Sequence, residues 1–587
     1  MKPNRLLVLA VALIGHVCDF PAMGASATRD VMSDTWVATD ALGRTLPDHA
    51  ACGGPREGKQ VGIFYFLWLG EHGAGQARVH DISKILAANP REPEWGPVHH
   101  FHWWGEPQLG YYRSRDRHVI RRHVQMLADA LVDVLICDVT NAFTYDEVVP
   151  ELCAVLAEFR AAGRRVPRIA FLANSSGAKT VRHLYDTIYA QGKFREWWYP
   201  WLDKPLMLAP AEGLAPEVES FFTRRQSWAW TRRGAWFGDG RDKWPWIDDC
   251  PQGAGWHEAP DKPEQISVCV AQHPTSNIGR SFHGGKQPPE KDWRTGEGPC
   301  FEEQWRRAHE VNPPFVFITG WNEWVAQRFV KEAKGGAGQM LGKPLKIGES
   351  YFVDQFNQEY SRDIEPMRGG HGDNYYYQMV GHIRRFKGVH TPPRASAPKT
   401  IRIDAGFDQW ADVGPEFLDD IGDASHRNHP GFGDTPAYVN TTGRNDFDCM
   451  KVARDPSHFY FYARSRGALS PATGGNWMML LIDSDANGRT GWKGFDVMVN
   501  RIRREGGLAS VERRSGDRWV LSGQAPFAVK ANEIQLAVLR KTMGILPTGN
   551  GPMHFKWIDN VAPRDIADFI DTGDAAPNGR FKYRYEE

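Results

Sequence analysis

The sequence predicts a (β/α)8 barrel followed by an all-β sandwich. Between residues 61 and 357, eight short apolar runs alternate with amphipathic stretches. Parallel strands that are buried on both faces have such near-continuous apolar runs, and eight of them within about 300 residues fit a barrel. After a Pro-rich segment the runs become β-rich and are separated by turns, which is typical of a sandwich. An open, doubly wound sheet is the alternative to the barrel, because periodicity does not separate the two.

Each element of the barrel follows from these runs. Helices are predicted between several of the strands, because His118–Leu131 and Val148–Arg160 have apolar residues at helical spacing. The predicted domains are a barrel over residues 55–392, a linker over 393–399 and a sandwich over 400–587. The eight predicted strands are Val61–Trp68, Val132–Thr140, Arg168–Asn174, Lys204–Pro210, Ser227–Arg232, Gln265–Pro274, Phe315–Trp324 and Tyr351–Asn357.

Composition narrows the possible partners. A chain of 587 residues is too long for one core, so two or three domains are expected. Lys and Arg together number 71, as do Asp and Glu, and this neutral balance disfavours nucleic acid and anionic membranes as partners. The 23 Trp residues suit carbohydrate binding, because sugar C–H faces stack on indole rings, but they also suit a large core.

The N-terminus is typical of a signal peptide over residues 1–27. Lys2 and Arg5 precede an apolar run, Leu6–Ile14, that is too short to span a bilayer, and Ala25–Ala27 matches a cleavage signal. Since no later segment has the length and apolar character of a transmembrane helix, we expect a periplasmic or secreted protein. In such an oxidising compartment, a disulfide between Cys250 and Cys300 is one possibility.

Candidate catalytic residues follow from the rule that barrel enzymes place their chemistry at the carboxyl ends of the strands. Asp138, Glu323 and Glu359 follow predicted strands, and a pair of carboxylates is the minimum for glycoside cleavage. Glu323 lies between two indoles, whose desolvation raises a carboxyl pKa; the alternative is a structural Glu paired with an Arg. Asp138 has three open roles: catalysis, binding of a substrate hydroxyl, or capping of the next helix.

Two further segments offer polar and aromatic side chains for a sugar. Residues 354–366 contain four acids around one Arg, so Asp363 or Glu365 can also reach the site, although a charge run is usually a solvated face. Residues 96–107 contain three His and two Trp, which fit a sugar-binding wall, a metal site or a purely structural loop; without acidic or thiol ligands at suitable spacing, we favour the wall. The predicted substrate-binding residues are Trp68, His100, His102, Trp104, Glu106, Asn141, His273, Trp321, Asn322, Trp324 and Tyr376.

Three features carry a resemblance to a known family: Val61–Trp68 as the first strand, the motif Trp321–Trp324 and the order of the strands. On these features the chain resembles the family 99-like glycoside hydrolases over about residues 55–390. These include endo-α-mannosidases and WbsX-type relatives from polysaccharide biosynthesis. The resemblance implies a barrel, no metal for catalysis and action on α-linked glycans. It also implies that Glu323 assists the sugar 2-hydroxyl and that a Glu three residues later is the general acid. This chain has Ala326 at that position.

The C-terminal part resembles family 9-type carbohydrate-binding modules, on the segments Ile401–Asp404, Phe407–Trp410 and Phe555–Trp557. The resemblance implies an accessory role in sugar binding. Within this part, residues with side-chain oxygens occupy alternate positions before a Gly turn. This pattern predicts a structural calcium site, although no Glu closes the loop as in an EF-hand. A hairpin turn rich in Asp, Asn and Gly is the alternative. The predicted calcium ligands are Asp483, Asp485, Asn487 and Asp496.

Together these features predict an exported glycoside hydrolase that cleaves an α-linked polysaccharide or glycan with paired carboxylates. One alternative is a glycan-binding or polysaccharide-assembly protein on a barrel that has lost its acid, which Ala326 favours. A lyase or transferase on the same barrel is a further alternative, since a fold alone does not separate these chemistries.

Overall fold

The computed structural model describes residues 29–71, 76–472, 475–504, 506–545 and 551–587. The predicted signal peptide lies outside these residues. The described chain forms a mixed α/β part, built on a parallel sheet, and a part built on an antiparallel sheet. None of the described helices has the length and apolar character that crossing a bilayer requires.

Seven parallel strands form the first sheet, in the order β5–β4–β3–β2–β1–β7–β6. Short antiparallel strands, Pro200–Trp201 and Gly255–Trp256, pair with β4 and β6. The seven strands are β1 (Gln60–Tyr65), β2 (Val134–Val139), β3 (Arg168–Ala173), β4 (Lys204–Leu208), β5 (Thr223–Arg225), β6 (Pro263–Cys269) and β7 (Phe315–Thr319). The helices between and after these strands are α1 (Arg117–Asp129), α2 (Val148–Ala161), α3 (Gly177–Leu184), α4 (Pro216–Phe221), α5 (Pro299–Val311) and α6 (Asn374–Lys387).

The two faces of this sheet pack into different apolar clusters, because successive side chains of a strand point to opposite faces. In β2, Val134 and Ile136 join an inner cluster with Phe64 and other residues of the sheet. Leu135 instead joins the cluster that contains the helices. The same alternation puts Asp138 on the inner face, where β2 ends.

Six predicted strands overlap observed strands of the parallel sheet, and two predictions are wrong. The fifth strand was expected at Ser227–Arg232 but lies at residues 223–225. The eighth was expected at Tyr351–Asn357, where only Ser350–Tyr351 pairs, antiparallel to Phe329–Val330. Its apolar residues pack in a separate cluster rather than in a sheet, so alternation in this segment does not indicate a strand.

The C-terminal part confirms the predicted change to β structure. Eleven antiparallel strands run in the order β8–β9–β10–β15–β14–β13–β12–β11–β16–β17, with β18 paired to β16. These strands are β8 (Phe417–Leu418), β9 (Phe447–Arg454), β10 (His458–Ser465), β11 (Met479–Asp483), β12 (Val497–Arg504), β13 (Leu508–Ser515), β14 (Arg518–Lys530), β15 (Glu533–Leu539), β16 (Met553–Asp559), β17 (Asp574–Ala576) and β18 (Tyr583–Tyr585).

Short elements complete the fold. Besides Phe329–Val330 with Ser350–Tyr351, three further pairs of short antiparallel strands lie outside the two sheets. They are Phe101–Trp103 with Val325–Gln327, Gln339–Met340 with Lys343–Pro344, and Arg427–His429 with Tyr438–Asn440; the short helices are His49–Cys52, Ile82–Ala88, Arg540–Met543 and Asp568–Asp571.

The segment before β1 packs on the end of the chain. Trp36 meets the rings of Phe581 and Tyr583 edge-on, with centroids 5.3 and 5.9 Å apart. Arg29 forms an ion pair of 2.8 Å with Asp448 in β9. The first described residues therefore contact the antiparallel part, although the parallel sheet follows them in sequence.

The described cysteines are all free thiols. Cys250 and Cys300 are among them, so the structure does not contain the disulfide considered from the sequence. Cys300 is buried, with its Sγ 4.0 Å from the carbonyl oxygen of Cys269.

Gly62, in the middle of β1, tests how tightly the inner face is packed. A Cβ at this position would lie 2.6 Å from the Phe315 ring and 3.0 Å from Ile136 and Val134 side chains. We expect Gly62→Ala to lower the free energy of unfolding by about 2 kcal/mol, since overfilled cores are strained. Chemical denaturation measures this. Gly467→Ala is the control, because its Cβ would meet nothing within 4 Å; equal stability of the two variants would contradict tight packing.

Candidate functional site

Four carboxyl groups meet around one guanidinium at the carboxyl edge of the parallel sheet. Asp138 ends β2, Glu323 follows β7, and a loop farther along the chain supplies Asp354, Arg362 and Asp363. The other three carboxyl groups and Arg362 all influence the pKa of Glu323. We call these five residues the carboxylate cluster.

Arg362 is the centre of the carboxylate cluster, and its side chain is only 2% exposed. Its Nη2 forms an ion pair with Glu323 Oε2, and its Nη1 donates to the main-chain oxygen of Asp354 at 3.0 Å. The guanidinium also lies over the Trp246 ring, 5.5 Å from its centroid. This is the Glu–Arg pair that the structural interpretation of Glu323 anticipated. A buried pair of this kind strongly destabilises the fold if one partner is removed.

Glu323 is held from several sides. Besides Arg362, Gln355 Nε2 donates to Glu323 Oε2 at 2.9 Å, and the Glu323 amide donates to Asp363 Oδ1. Burial raises the pKa of Glu323 well above its usual value, and the Arg362 charge opposes that shift. The side chain is thus a buried carboxyl that can hold a proton near neutral pH, as proton-transfer groups in enzymes do.

Asp363 connects the carboxylate cluster to a pair of stacked indoles. Trp104 Nε1 donates to Asp363 Oδ2 at 2.6 Å, and burial raises the pKa of Asp363 to about 7. The Trp104 ring stacks on Trp324, with centroids 4.5 Å apart and planes inclined by 12°. Trp324 Nε1 donates in turn to Glu365 Oε2 at 2.5 Å.

The side of the carboxylate cluster that faces solvent is formed by Asp354. Its side chain is 40% exposed, and its Oδ1 lies 3.8 Å from His273 Nε2. Burial lowers the pKa of His273 well below its usual value, so this imidazole is neutral. Trp230 meets His273 edge-on at 5.0 Å and donates from Nε1 to Gln272 Oε1 at 2.7 Å.

Asp138 lies on the other flank of the carboxylate cluster. Its Oδ1 accepts from the Thr140 amide at 2.9 Å, and burial raises its pKa to about 6. The loop that follows carries Asn141, which is exposed, and Tyr145, whose pKa is raised by burial and by the Asp138 charge. Asp138, His273 and Glu323 are therefore predicted site residues that the fold brings to one edge.

Comparison with solved structures finds a distant similarity. The chain is similar to two structures of the GH99 endo-α-mannosidase from Bacteroides thetaiotaomicron, one of them in complex with BIS-TRIS-propane. Identity is 16% in both. The complex aligns over 56% of this chain and 97% of its own, with a TM-score of 0.32; the other aligns over 57% and 98%, with a TM-score of 0.33. No family model and no curated protein matches the chain.

Glu359 lies in a different setting from the one expected of an acid. Its carboxylate accepts from Ser281 N at 2.7 Å and Oγ at 2.9 Å, from Gln287 Nε2 at 2.8 Å and from Thr295 Oγ1 at 2.5 Å. The residue is 2% exposed. Because both oxygens are fully engaged, this geometry indicates that Glu359 anchors the loop over residues 281–295 rather than transferring a proton.

The indoles expected to stack on a sugar are buried. Trp104, Trp321 and Trp324 are all 0% exposed, so their faces contact protein and not solvent. Trp321 packs edge-on against His123 and Tyr376, at 5.6 and 6.2 Å. The expectation of stacking by these rings is wrong for this structure, because all three rings are enclosed by protein and the N–H groups of Trp104 and Trp324 bind Asp363 and Glu365.

The His-rich segment forms part of the structural support. His102 is buried, its Nδ1 lies 3.0 Å from the His100 main-chain oxygen, and its ring stacks on His80 at 4.9 Å. Burial lowers the pKa of His102 to about 4. Glu106 forms surface ion pairs with Lys84 and Arg368, at 2.8 and 3.3 Å. The structural interpretation of this loop therefore fits better than a sugar-binding wall.

The remaining predicted residues also hold the framework. Asn322 Oδ1 accepts from the Phe66 amide at 2.9 Å, and its Nδ2 donates to the Phe66 carbonyl at 3.1 Å, which ties the end of β1 to the loop after β7. Trp68 is buried beside Phe101, at 5.5 Å. Tyr376 is buried and donates to the Met126 carbonyl at 2.8 Å.

Sequence reasoning did not identify Arg362 as the partner of Glu323, nor the aromatic residues near the open side of the cluster. Asp354 lies in the segment Tyr351–Asn357, which is predicted to be a strand and is mostly loop, and Arg362 lies after that segment. The signal that could have found them is the single Arg among four acids directly after the last apolar run.

The predicted calcium loop brings three of its four residues together. One carboxylate oxygen from each of Asp483, Asp485 and Asp496 lies within 4.8 Å of the others. Lys582 Nζ also donates to Asp483 Oδ2 at 2.8 Å, so an ion there would share this carboxylate with an ammonium. Asn487 accepts from the Arg489 amide at 3.2 Å. The oxygen ligands fit calcium in type, and calcium at this loop stays a prediction.

The raised pKa of Asp138 predicts a pH effect on stability. The pKa is about 6 in the fold and about 4 in the unfolded chain, which corresponds to about 3 kcal/mol. Because burial disfavours the charged form of Asp138, ionisation of this group destabilises the fold. The destabilisation is absent below about pH 4 and complete above about pH 6. We expect Asp138→Asn to become more stable relative to wild type as pH rises through this window, as measured by chemical denaturation at several pH values.

The control for this experiment is Asp203→Asn, because Asp203 is exposed. Its stability should follow that of wild type at every pH. A constant difference between Asp138→Asn and wild type from pH 4 to pH 7 would contradict the raised pKa.

Proposed function

We propose that this protein is an exported glycoside hydrolase that acts on an α-linked polysaccharide or glycan. The observation that carries the proposal is the carboxylate cluster, in which several carboxyl groups with raised pKa values share one edge of a parallel sheet. Glycoside cleavage needs a proton donor and a base or nucleophile, both usually carboxyl groups. Burial that raises carboxyl pKa values is the usual way to hold such a proton at neutral pH.

The proposed proton-transfer groups are Asp138 and Glu323. Asp138 has a pKa of about 6 and few competing hydrogen bonds, which suits a general acid. Glu323 is oriented by Arg362 and Gln355, which suits a base, a nucleophile or assistance to the sugar 2-hydroxyl. Asp354 lies at the exposed side and is the carboxylate that a substrate would meet first.

Exposed aromatic rings near this edge support a carbohydrate ligand. Trp228 is 36% exposed, and its neighbour Trp230 contacts His273. Phe143, which is 51% exposed, lies on the loop after Asp138. These rings, rather than the buried indoles near Glu323, are the proposed stacking surface for sugar C–H faces.

We also propose that the parallel sheet is a (β/α)8 barrel in which residues 243–247 take the place of a regular strand. Isolated parallel bridges join Gln226 to Lys243 and Ala229 to Ile247 beyond β5. Trp244 and Trp246 fill the inner cluster together with residues of six of the strands. A filled interior with chemistry at the carboxyl edge is the usual arrangement of such barrels.

Glycan binding without cleavage is the second candidate function. Ala326, where the resembled family has its acid, is buried and pairs with His102 in a short antiparallel pair of strands. Glu323 is engaged by Arg362 and is 5% exposed. Both observations favour a barrel that binds a glycan and has lost its catalytic acid. The antiparallel part is proposed as an accessory sugar-binding module in either case.

An activity screen with matched variants tests the proposal. The protein from Thr28 onward would be incubated with α- and β-linked mannans, glucans, arabinans and bacterial exopolysaccharides, and products would be identified by chromatography and mass spectrometry. We expect sugar release by wild type, and a loss of at least about 100-fold in Glu323→Gln and Asp138→Asn, because proton transfer contributes that much.

Glu359→Gln is the matched control, since it also removes the charge of a buried Glu. We expect it to keep activity within about 10-fold while lowering the unfolding temperature, because a loop loses its anchor. Full activity in Glu323→Gln would contradict the role of Glu323 in proton transfer, and the absence of both sugar release and glycan binding by wild type would contradict the hydrolase proposal. Binding of a glycan by wild type without any product would instead establish the second candidate.

A further inference from the structure

A second group of carboxylates lies where helix α1 meets the antiparallel part. Asp419 and Asp423 follow β8, and Asp574 begins β17. One carboxylate oxygen from each residue lies within 4.8 Å of the other two. The three residues are 0%, 1% and 1% exposed. We call them the interface cluster.

Several oxygens of the interface cluster lack hydrogen-bond partners among the described residues. Both oxygens of Asp419 are buried without a donor among the described residues, and Oδ1 of Asp423 and of Asp574 have none apart from the contact of these two carboxyl groups with each other. The other oxygen of Asp423 and of Asp574 accepts a hydrogen bond. Gln125 Nε2 donates to Asp423 Oδ2 at 2.8 Å, and the Phe447 amide donates to Asp574 Oδ2 at 2.7 Å. Leaving an ionised carboxylate buried and unpaired costs several kcal/mol.

Nearby cations do not compensate for three carboxylates. The closest is Arg122, whose Nη1 lies 3.6 Å from Asp423 Oδ2. Arg164 binds Asp129 and Asp420 instead, and Lys556 donates to the Pro577 carbonyl. The charge on Lys556 still acts on Asp419 at longer range, but no ammonium or guanidinium among the described residues forms an ion pair with Asp419 or Asp574.

We propose that Asp419, Asp423 and Asp574 bind a calcium ion within the antiparallel part, beside helix α1. Carboxylate oxygens without thiol or imidazole are the ligands of hard divalent cations. Calcium binds such oxygens at 2.3–2.6 Å, so oxygens within about 5 Å of one another can share one ion. Magnesium is the less suitable ion, because it keeps several waters and this site is closed by protein.

The position of the site gives the ion a structural role. Gln125, in α1, donates to both Asp423 and Asp420, at 2.8 and 3.1 Å. Asp574 is bound to β9 through the Phe447 amide. An ion shared by these carboxylates therefore stabilises the contact between the two parts of the chain, and its binding stabilises the folded state by mass action.

Calorimetry and metal analysis on the full chain test this site. After treatment with EGTA, wild type would be scanned alone, with millimolar calcium chloride and with the same concentration of magnesium chloride. We expect calcium to raise the unfolding temperature by roughly 5 °C or more, and magnesium to raise it less. Asp419→Asn should lose the calcium effect, and in EGTA it should be at least as stable as wild type, because one of three repelling charges is gone.

Asp485→Asn is the matched control, because it alters the other group of carboxylates, in the predicted calcium loop. If the interface cluster is the site, calcium should still raise the unfolding temperature of this variant. If the rise disappears in Asp485→Asn and persists in Asp419→Asn, the proposal is overturned. It is also overturned if neither metal changes the unfolding temperature of wild type.

A second measurement covers the case in which Asp419→Asn does not fold. Elemental analysis of wild type and Asp485→Asn, dialysed against trace calcium, gives the number of bound ions per chain. Retention of one tightly bound calcium by Asp485→Asn supports the interface cluster. A metal-free Asp485→Asn protein would overturn it.

Discussion

The ion pair between Arg362 and Glu323 is the interaction on which the candidate site depends. One guanidinium, almost fully buried, faces the carboxyl groups of Glu323, Asp354 and Asp363 in a setting of low dielectric. Four carboxyl groups around a single cation cannot all be ionised there without a large cost. Burial therefore raises the pKa values of these carboxyl groups, and the proposed function depends on that shift.

The residues around this pair explain why so many aromatic side chains are buried. The stacked indoles of Trp104 and Trp324 use their N–H groups to hold Asp363 and Glu365. Asn322 ties the same loop to the end of β1. Rings that first indicate a sugar-binding surface thus form the support of the carboxylates, and the proposed function assigns glycan contact to the exposed rings near Asp138 and His273 instead.

The interface cluster shows the opposite electrostatic arrangement. There, three buried carboxylates have only Arg122 nearby, and several of their oxygens have no donor among the described residues. The carboxylate cluster has a resident cation, Arg362, at its centre. An added calcium ion would do for the interface cluster what Arg362 does for the carboxylate cluster.

The sequence by itself determined six of the seven parallel strands and the change to antiparallel structure in the C-terminal part. It also determined the approach of Asp138, His273 and Glu323, because carboxyl ends of parallel strands meet at one edge. Only the tertiary structure decided which polar groups touch. It paired Glu323 with Arg362, enclosed Glu359 among Ser281, Gln287 and Thr295, and buried Trp324. These outcomes depend on loops far apart in sequence, whose packing has no periodic signal.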